Sequence, residues 1–276
     1  NDGELDAPLF LTADQQAHQF KSLYTDTSNY YLTWTSNTAG KRFTEFNNPS
    51  YAGKTADSWL WYTTHSTFTD EYYDGSPYFQ PGYLTEYTTG EGWFSTYISG
   101  GRTANLNIAT NNYNPAGPEP LLSFGVYGKS NPSQTVDGLN HKVEVSIGSD
   151  LIFEKFHSGY TRVEPGFNEA KVVLKSSQID TQVTNIRFAS TYLQMARHAV
   201  SFIKMEYPRD LDLNDVSYFE IDYTGSNDYF KFINFAGTKA YIYDLRNLRR
   251  ISGDVNSKTL QFNTSNVGQK KIILTS

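Results

Sequence analysis

Apolar and polar residues alternate with a period of two in many separate runs along the chain. The pattern starts at Tyr30, Leu32 and Trp34, then returns at Leu106 and Ile108 and at Leu122, Phe124 and Val126. It continues at Val143, Val145 and Ile147, at Val172 and Leu174, at Thr184, Ile186 and Phe188, and at Ile203, Met205 and Tyr207. The last runs are Phe219, Ile221 and Tyr223, then Phe230 and Phe232, then Tyr241 and Tyr243. Successive side chains of a strand point to opposite faces, so each run predicts a strand buried on one side. Turn signals separate the runs: Asp74-Gly75, Gly100-Gly101, Asn114-Pro115, Asp137-Gly138, Pro165-Gly166, Gly225-Ser226 and Gly253-Asp254. Over residues 103–245 the spacing is short and regular, which predicts an antiparallel β-sandwich of jelly-roll type.

The first hundred residues differ, because longer polar stretches such as TTHSTFTDEYYDGSPYF separate their strands. They predict a smaller, mostly β module over residues 1–100, packed on a sandwich over 101–276. Only Thr12–Leu23 has a helical pattern, with Ala13, Ala17 and Phe20 on one side. Asn114–Pro120 (NPAGPEP) reads as a stiff loop, and no internal repeat of solenoid period occurs.

Composition narrows the function classes. The chain of 276 residues is 16% aromatic, with 21 Tyr and 18 Phe, in keeping with strands. A net charge of -6 and the lack of a Lys/Arg stripe beyond Arg246–Arg250 argue against a nucleic-acid partner. No run approaches the roughly 18 to 20 apolar residues of a membrane-spanning helix. Asn1–Phe10 has neither the basic nor the apolar part of an export signal, so a mature or trimmed chain is expected. Cysteine is absent, which excludes disulfides, thiolate metal sites and a cysteine nucleophile within these residues.

Several motifs fall in a characteristic order: SNYYLTW at Ser28, GKRF at Gly40, DEYYDGSPYF at Asp70, GEGWF at Gly90, NHKVEVSI at Asn140, MEYPRDL at Met205, VSYFEIDY at Val216 and AYIYDLRNL at Ala240. In this order the chain resembles the non-catalytic N-terminal region of gingipain-type cysteine peptidases, in particular the type IX secretion sortases of Bacteroidetes. The resemblance covers nearly the whole chain. It implies an exported protein that is surface-bound, associated with the outer membrane or secreted. It also implies a module that precedes a peptidase domain and positions that domain or exported substrates, with its own peptidase domain or secretion proteins as partners. KKIILTS lies about where that domain would begin, so the chain is expected to be either cut before it or a stand-alone relative without one, and without Cys no catalytic residue of the family carries over. Family pro-segments further suggest a loop such as Gly100-Gly101-Arg102 that inserts into a peptidase.

The acidic stretch EYPRDLDLND, Glu206–Asp215, invites a calcium reading, since Asp210, Asp212 and Asn214 match positions one, three and five of an EF-hand loop. Position six is Asp215 rather than Gly, and position twelve is Ile221 rather than Glu. A looser structural calcium site stays open. The plainer reading has Ile203, Met205 and Tyr207 facing inward, Pro208 ending the strand, and Asp210–Asp215 turning through solvent. Glu206, Asp210, Glu220 and Asp222 could serve a glycosidase only if two of them flanked a sugar, which spacing does not indicate.

The five histidines, His18, His65, His141, His157 and His198, have no HExxH or HxH spacing, so zinc is unsupported and structural roles are expected for His141 and His198. No GxSxG elbow occurs either. The rival function is carbohydrate binding: Trp34, Trp59, Trp61 and Trp93, with Tyr62, Tyr72, Tyr73, Tyr78 and Tyr83, could build an aromatic platform for sugars or pack a seam between modules. Arg246, Arg249 and Arg250, beyond the strand expected at Ala240–Leu245, are candidate contacts for a peptidase domain or another partner. They could equally belong to a solvated loop.

Overall fold

The computed structural model describes residues 42–46, 50–75, 90–264 and 268–276. The run from Tyr30 to Trp34, the helix expected at Thr12–Leu23, His18, Tyr78 and Tyr83 lie outside these residues. In chain order the strands are β1 (Thr44–Phe46), β2 (Trp59–Thr67), β3 (Glu71–Asp74), β4 (Glu91–Phe94), β5 (Ile98–Ser99), β6 (Thr103–Ala109), β7 (Leu121–Gly128), β8 (His141–Ile147), β9 (Asp150–His157) and β10 (Arg162–Val163). They continue with β11 (Val172–Val173), β12 (Val183–Ser190), β13 (Arg197–Asp210), β14 (Asp212–Val216), β15 (Tyr218–Tyr223), β16 (Tyr229–Phe235), β17 (Ala240–Asp244), β18 (Arg249–Asn256), β19 (Thr259–Asn263) and β20 (Lys270–Thr275). One 3-10 turn, Ser176–Gln178, is the sole helical element among the described residues. The all-β class implied by the alternation is the observed one, and among the described residues no helix is long and apolar enough to cross a membrane.

The chain divides into two compact units, residues 1–32, 63–110 and 119–206 in the first and 33–62, 111–118 and 207–276 in the second. The break expected after residue 100 therefore falls inside the first unit, between β5 and β6. Alternation finds strands but not their partners, so a boundary that runs through β2 and β13 leaves no mark in it.

The first unit holds a sandwich. One sheet has the order β6, β12, β8, β9; the other has β10, β7, β13, β2, with β11 also on β7 and β5 on β13. Their inner faces meet through Phe124 of β7, whose ring lies edge-on to Phe153 of β9 and Phe188 of β12, both at 5.3 Å. Leu122, Val126, Val145, Ile186, Ile203 and Met205 are buried with it, as their alternation requires. Burial of such a side chain contributes about 1.5–3 kcal/mol. On the opposite face of β7 the antiparallel β3–β4 pair lays Phe94 and Tyr73 over Tyr127 and Ala199. Gly128 at the end of β7 has to be glycine, because a Cβ there would lie 1.8 Å from the Gly159 carbonyl oxygen.

The second unit is a sheet in the order β14, β16, β19, β18, β17, β20, β15, with β1 joined in parallel to β18. Its edge strands β14 and β15 are separated by Ser217 alone, so the sheet rolls up, and its inward residues share one core. Phe230, Phe232 and Phe262 stack there, with Ile221, Ile242, Ile251, Leu260, Ile272 and Leu274 around them. The sandwich expected to reach residue 276 thus gives way to a separate rolled sheet after Glu206.

Two local expectations are corrected. Pro208 does not end its strand, for β13 runs on to Asp210. Proline lacks only the amide, and its carbonyl still accepts from the Asn114 N–H at 2.9 Å while the Asp210 N–H reaches the Asn112 carbonyl at 2.8 Å. Gly253-Asp254 is not a turn but the middle of β18, where a Cβ on Gly253 would press on Leu260 and Ile242 at 2.6 and 2.7 Å. The chain reverses instead at Ser257-Lys258, both left-handed at φ 48° and 62°, as a tight hairpin demands.

Candidate functional site

A surface recess lies in the second unit, at the start of β2. Leu60 points into the core there, so Trp59 and Trp61 emerge together on the other face. Their rings meet edge to face, 5.9 Å apart at 85°, and form a corner rather than a flat platform. Asp57, Ser58, Tyr223, Thr224, Gly225 and Ser226 complete a recess of about 420 Å³. Gly117 of the NPAGPEP loop supports one wall: a Cβ on it would stand 3.4 Å from the Trp59 ring and 2.4 Å from Pro208.

The polar rim is held in place. Tyr223 Oη donates to Asp57 Oδ2 at 2.6 Å and accepts from the Asn227 N–H at 2.9 Å, while Asn227 Nδ2 donates to Asp57 Oδ1 at 3.2 Å. Burial, then the Asp57 contact, raises the Tyr223 phenol well above its usual range. Beneath, buried Lys270 donates to the Asn227 and Gly268 carbonyls at 2.9 Å and sits 5.1 Å from the Tyr223 ring. Burial lowers its ammonium below the ordinary lysine range. Gly225 is required at the lip, since a Cβ would fall 2.4 Å from Tyr223 Oη. Such a corner can pack an apolar ring face while Asp57 and the Ser58, Thr224 and Ser226 hydroxyls offer hydrogen bonds.

The other expected platform residues, Trp93, Tyr72 and Tyr73, belong to the first unit. Tyr72 and Trp93 pack edge to face at 5.3 Å, with Tyr72 Oη on Glu91 at 2.6 Å. Tyr73 turns inward. With Phe94 and Tyr127 it encloses Lys129, whose Nζ lies 3.3 Å from the Phe94 centroid, 4.6 Å from that of Tyr73 and 5.4 Å from that of Tyr127. Its Nζ also donates to the Gly90 carbonyl. Burial pushes Lys129 down to about 6.

Three histidines that look scattered in sequence come together in the first unit. His141 on β8 and His157 on β9 are register partners, with rings stacked 4.9 Å apart, and His198 on β13 stands 5.1 Å from both. All three are buried. His157 Nε2 and His198 Nε2 are 3.0 Å apart, and neither Nδ1 has a hydrogen-bond partner. His141 Nδ1 donates to Asn140 Oδ1 at 2.6 Å, and its Nε2 meets Ser130 Oγ at 3.1 Å. Burial brings His141 down to about 4 and His157 to about 3, the latter helped by His141 and Lys155; His198 falls well below its ordinary value for the same reason. Cross-strand register and the meeting of two sheets create this cluster, and neither leaves a spacing motif. Among the described residues no three His, Cys, Asp or Glu converge as a metal site.

The acidic stretch is tied up by protein donors. Asp210 Oδ1 accepts from Asn114 Nδ2 at 2.6 Å; Asp212 Oδ1 accepts from the Asn214 N–H at 2.8 Å and Oδ2 from Asn234 Nδ2 at 2.9 Å. Asn214 and Asp215 are left-handed, at φ 53° and 59°. Buried Arg209 spans the stretch from within, donating to the Asp210 and Asp212 carbonyls at 3.0 and 2.7 Å and lying over Phe219 and Tyr62. Glu206 pairs with Lys171 and Lys204, Glu220 accepts from Tyr218, and Asp222 sits on β15.

Arg246 is exposed, whereas Arg249 donates to the Thr264 carbonyl and lies over Phe46, and Arg250 pairs with Glu45 at 2.5 Å above Tyr241. The loop that carries Arg246 is anchored on Asp244, whose Oδ1 accepts from the Arg246 and Asn247 amides and Oδ2 from Asn247 Nδ2.

These features define an all-β protein with a sandwich unit, a rolled-sheet unit and an open indole corner. Its fold is similar to that of dimeric latent PorU from Porphyromonas gingivalis, with a TM-score of 0.56 at 10% identity. The match covers 84% of this chain and 22% of that one, so this chain spans about a fifth of the length of PorU. The CBM36-1 domain of a multidomain xylanase from the hindgut metagenome of Trinervitermes trinervoides aligns over 52% of this chain and 95% of its own at 11% identity, with a TM-score of 0.29. At that score the likeness carries no weight. No protein-family model matches the sequence, and no curated protein matches it.

Proposed function

We propose that this chain is a non-catalytic module that, as in gingipain-like peptidases of type IX secretion, positions a peptidase domain or exported substrates at the cell surface. The observation that carries this reading is the shared fold with PorU over 84% of the chain. The lack of cysteine supports it, since a thiolate nucleophile has no residue to come from. The same likeness supports exported or outer-membrane-associated placement, with the protein's own peptidase domain or another secretion component as the proposed partner. The test compares the parent polypeptide with a version that lacks residues 1–276. Export or peptidase activity should fall on deletion; unchanged export and unchanged activity would remove the positioning role.

Carbohydrate binding is a second reading, favoured by the Trp59–Trp61 recess with its fixed polar rim. The two readings concern different properties and can hold together. Titration of a glycan panel tests the second independently of any peptidase.

A further inference from the structure

We propose that the corner between Trp59 and Trp61 receives a single pyranose residue of a neutral glycan, a specification that rests on the carbohydrate reading. The two indoles stand at 85°, so they offer two walls to one ring rather than a flat track for an extended chain. A pyranose presents C–H groups on its faces and hydroxyls around its edge. One face packs on an indole, the ring edge meets the other, and the hydroxyls turn toward the rim. A volume of about 420 Å³ lies toward the small end of ligand recesses, which run from roughly 300 to 1,000 Å³.

The rim selects among sugars. Among the described residues Asp57 is the one charged group in the lining, and Tyr223 Oη and Asn227 Nδ2 hold both of its oxygens in place. Its remaining lone pairs accept from hydroxyls that approach along a fixed direction, at little cost in ordering. The same negative charge, on a chain of net charge -6, disfavours uronates, sialates and phosphorylated sugars. A quaternary ammonium or a guanidinium would be drawn to indoles and carboxylate alike. Cation–π attraction is strong only where the cation is desolvated, and here Asp57, Ser58, Thr224, Gly225 and Ser226 are exposed at the mouth. Thr224 and Ser226 lie on the loop that Gly225 allows to fold tightly onto Tyr223, so the acceptors and the indole walls are fixed together.

The experiment follows the indole N–H signals of the ¹⁵N-labelled chain while methyl glycosides of glucose, galactose, mannose, xylose and N-acetylglucosamine are added, with glucuronate, choline and arginine ethyl ester in parallel. At least one neutral glycoside should move the Trp59 and Trp61 signals saturably, with a Kd on the order of 1–10 mM. Trp61→Ala should weaken that binding at least about tenfold, a loss of ~1.4 kcal/mol, and leave the Trp93 signal in place. Should Trp61→Ala not fold, Thr224→Trp, on the exposed loop, blocks the recess instead and should abolish the shifts. Binding of glucuronate with neutral glycosides silent would overturn the neutral-sugar inference while keeping the carbohydrate reading. No binding of any sugar would sink both, and binding of choline or the arginine ester alone would replace them with a cation site. A neutral sugar that still binds with the recess blocked would contradict this location.

Discussion

His157 Nε2 and His198 Nε2 face each other at 3.0 Å inside the sandwich, so one ring must carry the proton that the other accepts. With both Nδ1 atoms lacking a partner, whichever ring donates through Nε2 keeps a bare Nδ1 acceptor, while the other keeps a buried N–H. One added proton makes one of these rings a cation away from water, and a proton added to each would place two cations in contact. His141 differs, because Ser130 can donate to its Nε2 when the ring is neutral and accept from it when charged, turning its own hydroxyl to the Met195 carbonyl at 3.0 Å.

This arrangement predicts a stability that falls with acid. All three groups have folded values below the unfolded histidine value of about 6.5, so their contribution is fully present above that pH. It is lost as pH falls from 6.5 toward 4, when the unfolded chain takes up protons that the folded chain refuses. Each histidine adds up to ~1.4 kcal/mol per pH unit to the slope. Urea denaturation of the first unit at several pH values should show it, and His157→Leu should flatten it. An unfolding free energy level between pH 7 and 5 would contradict this view.

Lys129 behaves in the opposite sense. A lysine held down to about 6 by burial gives a stability that rises as pH climbs from about 6 toward 10, because the unfolded chain keeps its proton longer. The Phe94, Tyr73 and Tyr127 rings favour the charged form and reduce the slope. Lys129→Met should keep the packing and remove the slope, with stability at pH 7 unchanged or raised by up to about 2 kcal/mol. A loss of several kcal/mol on that substitution would show the ammonium to be a net stabiliser.

Arg209 should be hard to replace. Arg209→Ala withdraws two donors from the Asp210 and Asp212 carbonyls and uncovers Phe219, so a loss of about 2–4 kcal/mol is expected. Arg209→Lys should recover little of it, since an ammonium lacks the planar fork that spans both carbonyls. Chemical denaturation of the two variants beside the parent checks the order.

Much of the fold can be read from the residues, for a plain reason. Burial follows the two-residue period at Ile186 and Phe188 and at Ile203, Met205 and Tyr207, whereas β7 is buried on both faces because Phe94 and Tyr73 cover Tyr127. Where the period misled, something other than burial of an apolar face was at work. Tyr241 and Tyr243 share a face, yet Ala240, Ile242 and Asp244 point inward, because Asp244 is needed there to anchor the loop after it. Ser257-Lys258 makes a tight turn without Gly, Asn or Asp, so composition gave no sign of it. The indole corner was half legible: Trp59 and Trp61 two residues apart predict one face, but Asp57 and the Tyr223–Ser226 loop reach it only through the folding of the second unit. The histidine cluster was not legible, as it needs both the β8–β9 register and the opposite sheet.

The positioning role is tested most directly by association. Residues 1–276 and the segment encoded after Ser276 would be produced separately and mixed, and their sedimentation followed at micromolar concentration. The account predicts a one-to-one complex between this chain and a segment that carries a Cys–His peptidase centre. Two species that sediment independently, or a downstream sequence without such a centre, would contradict it.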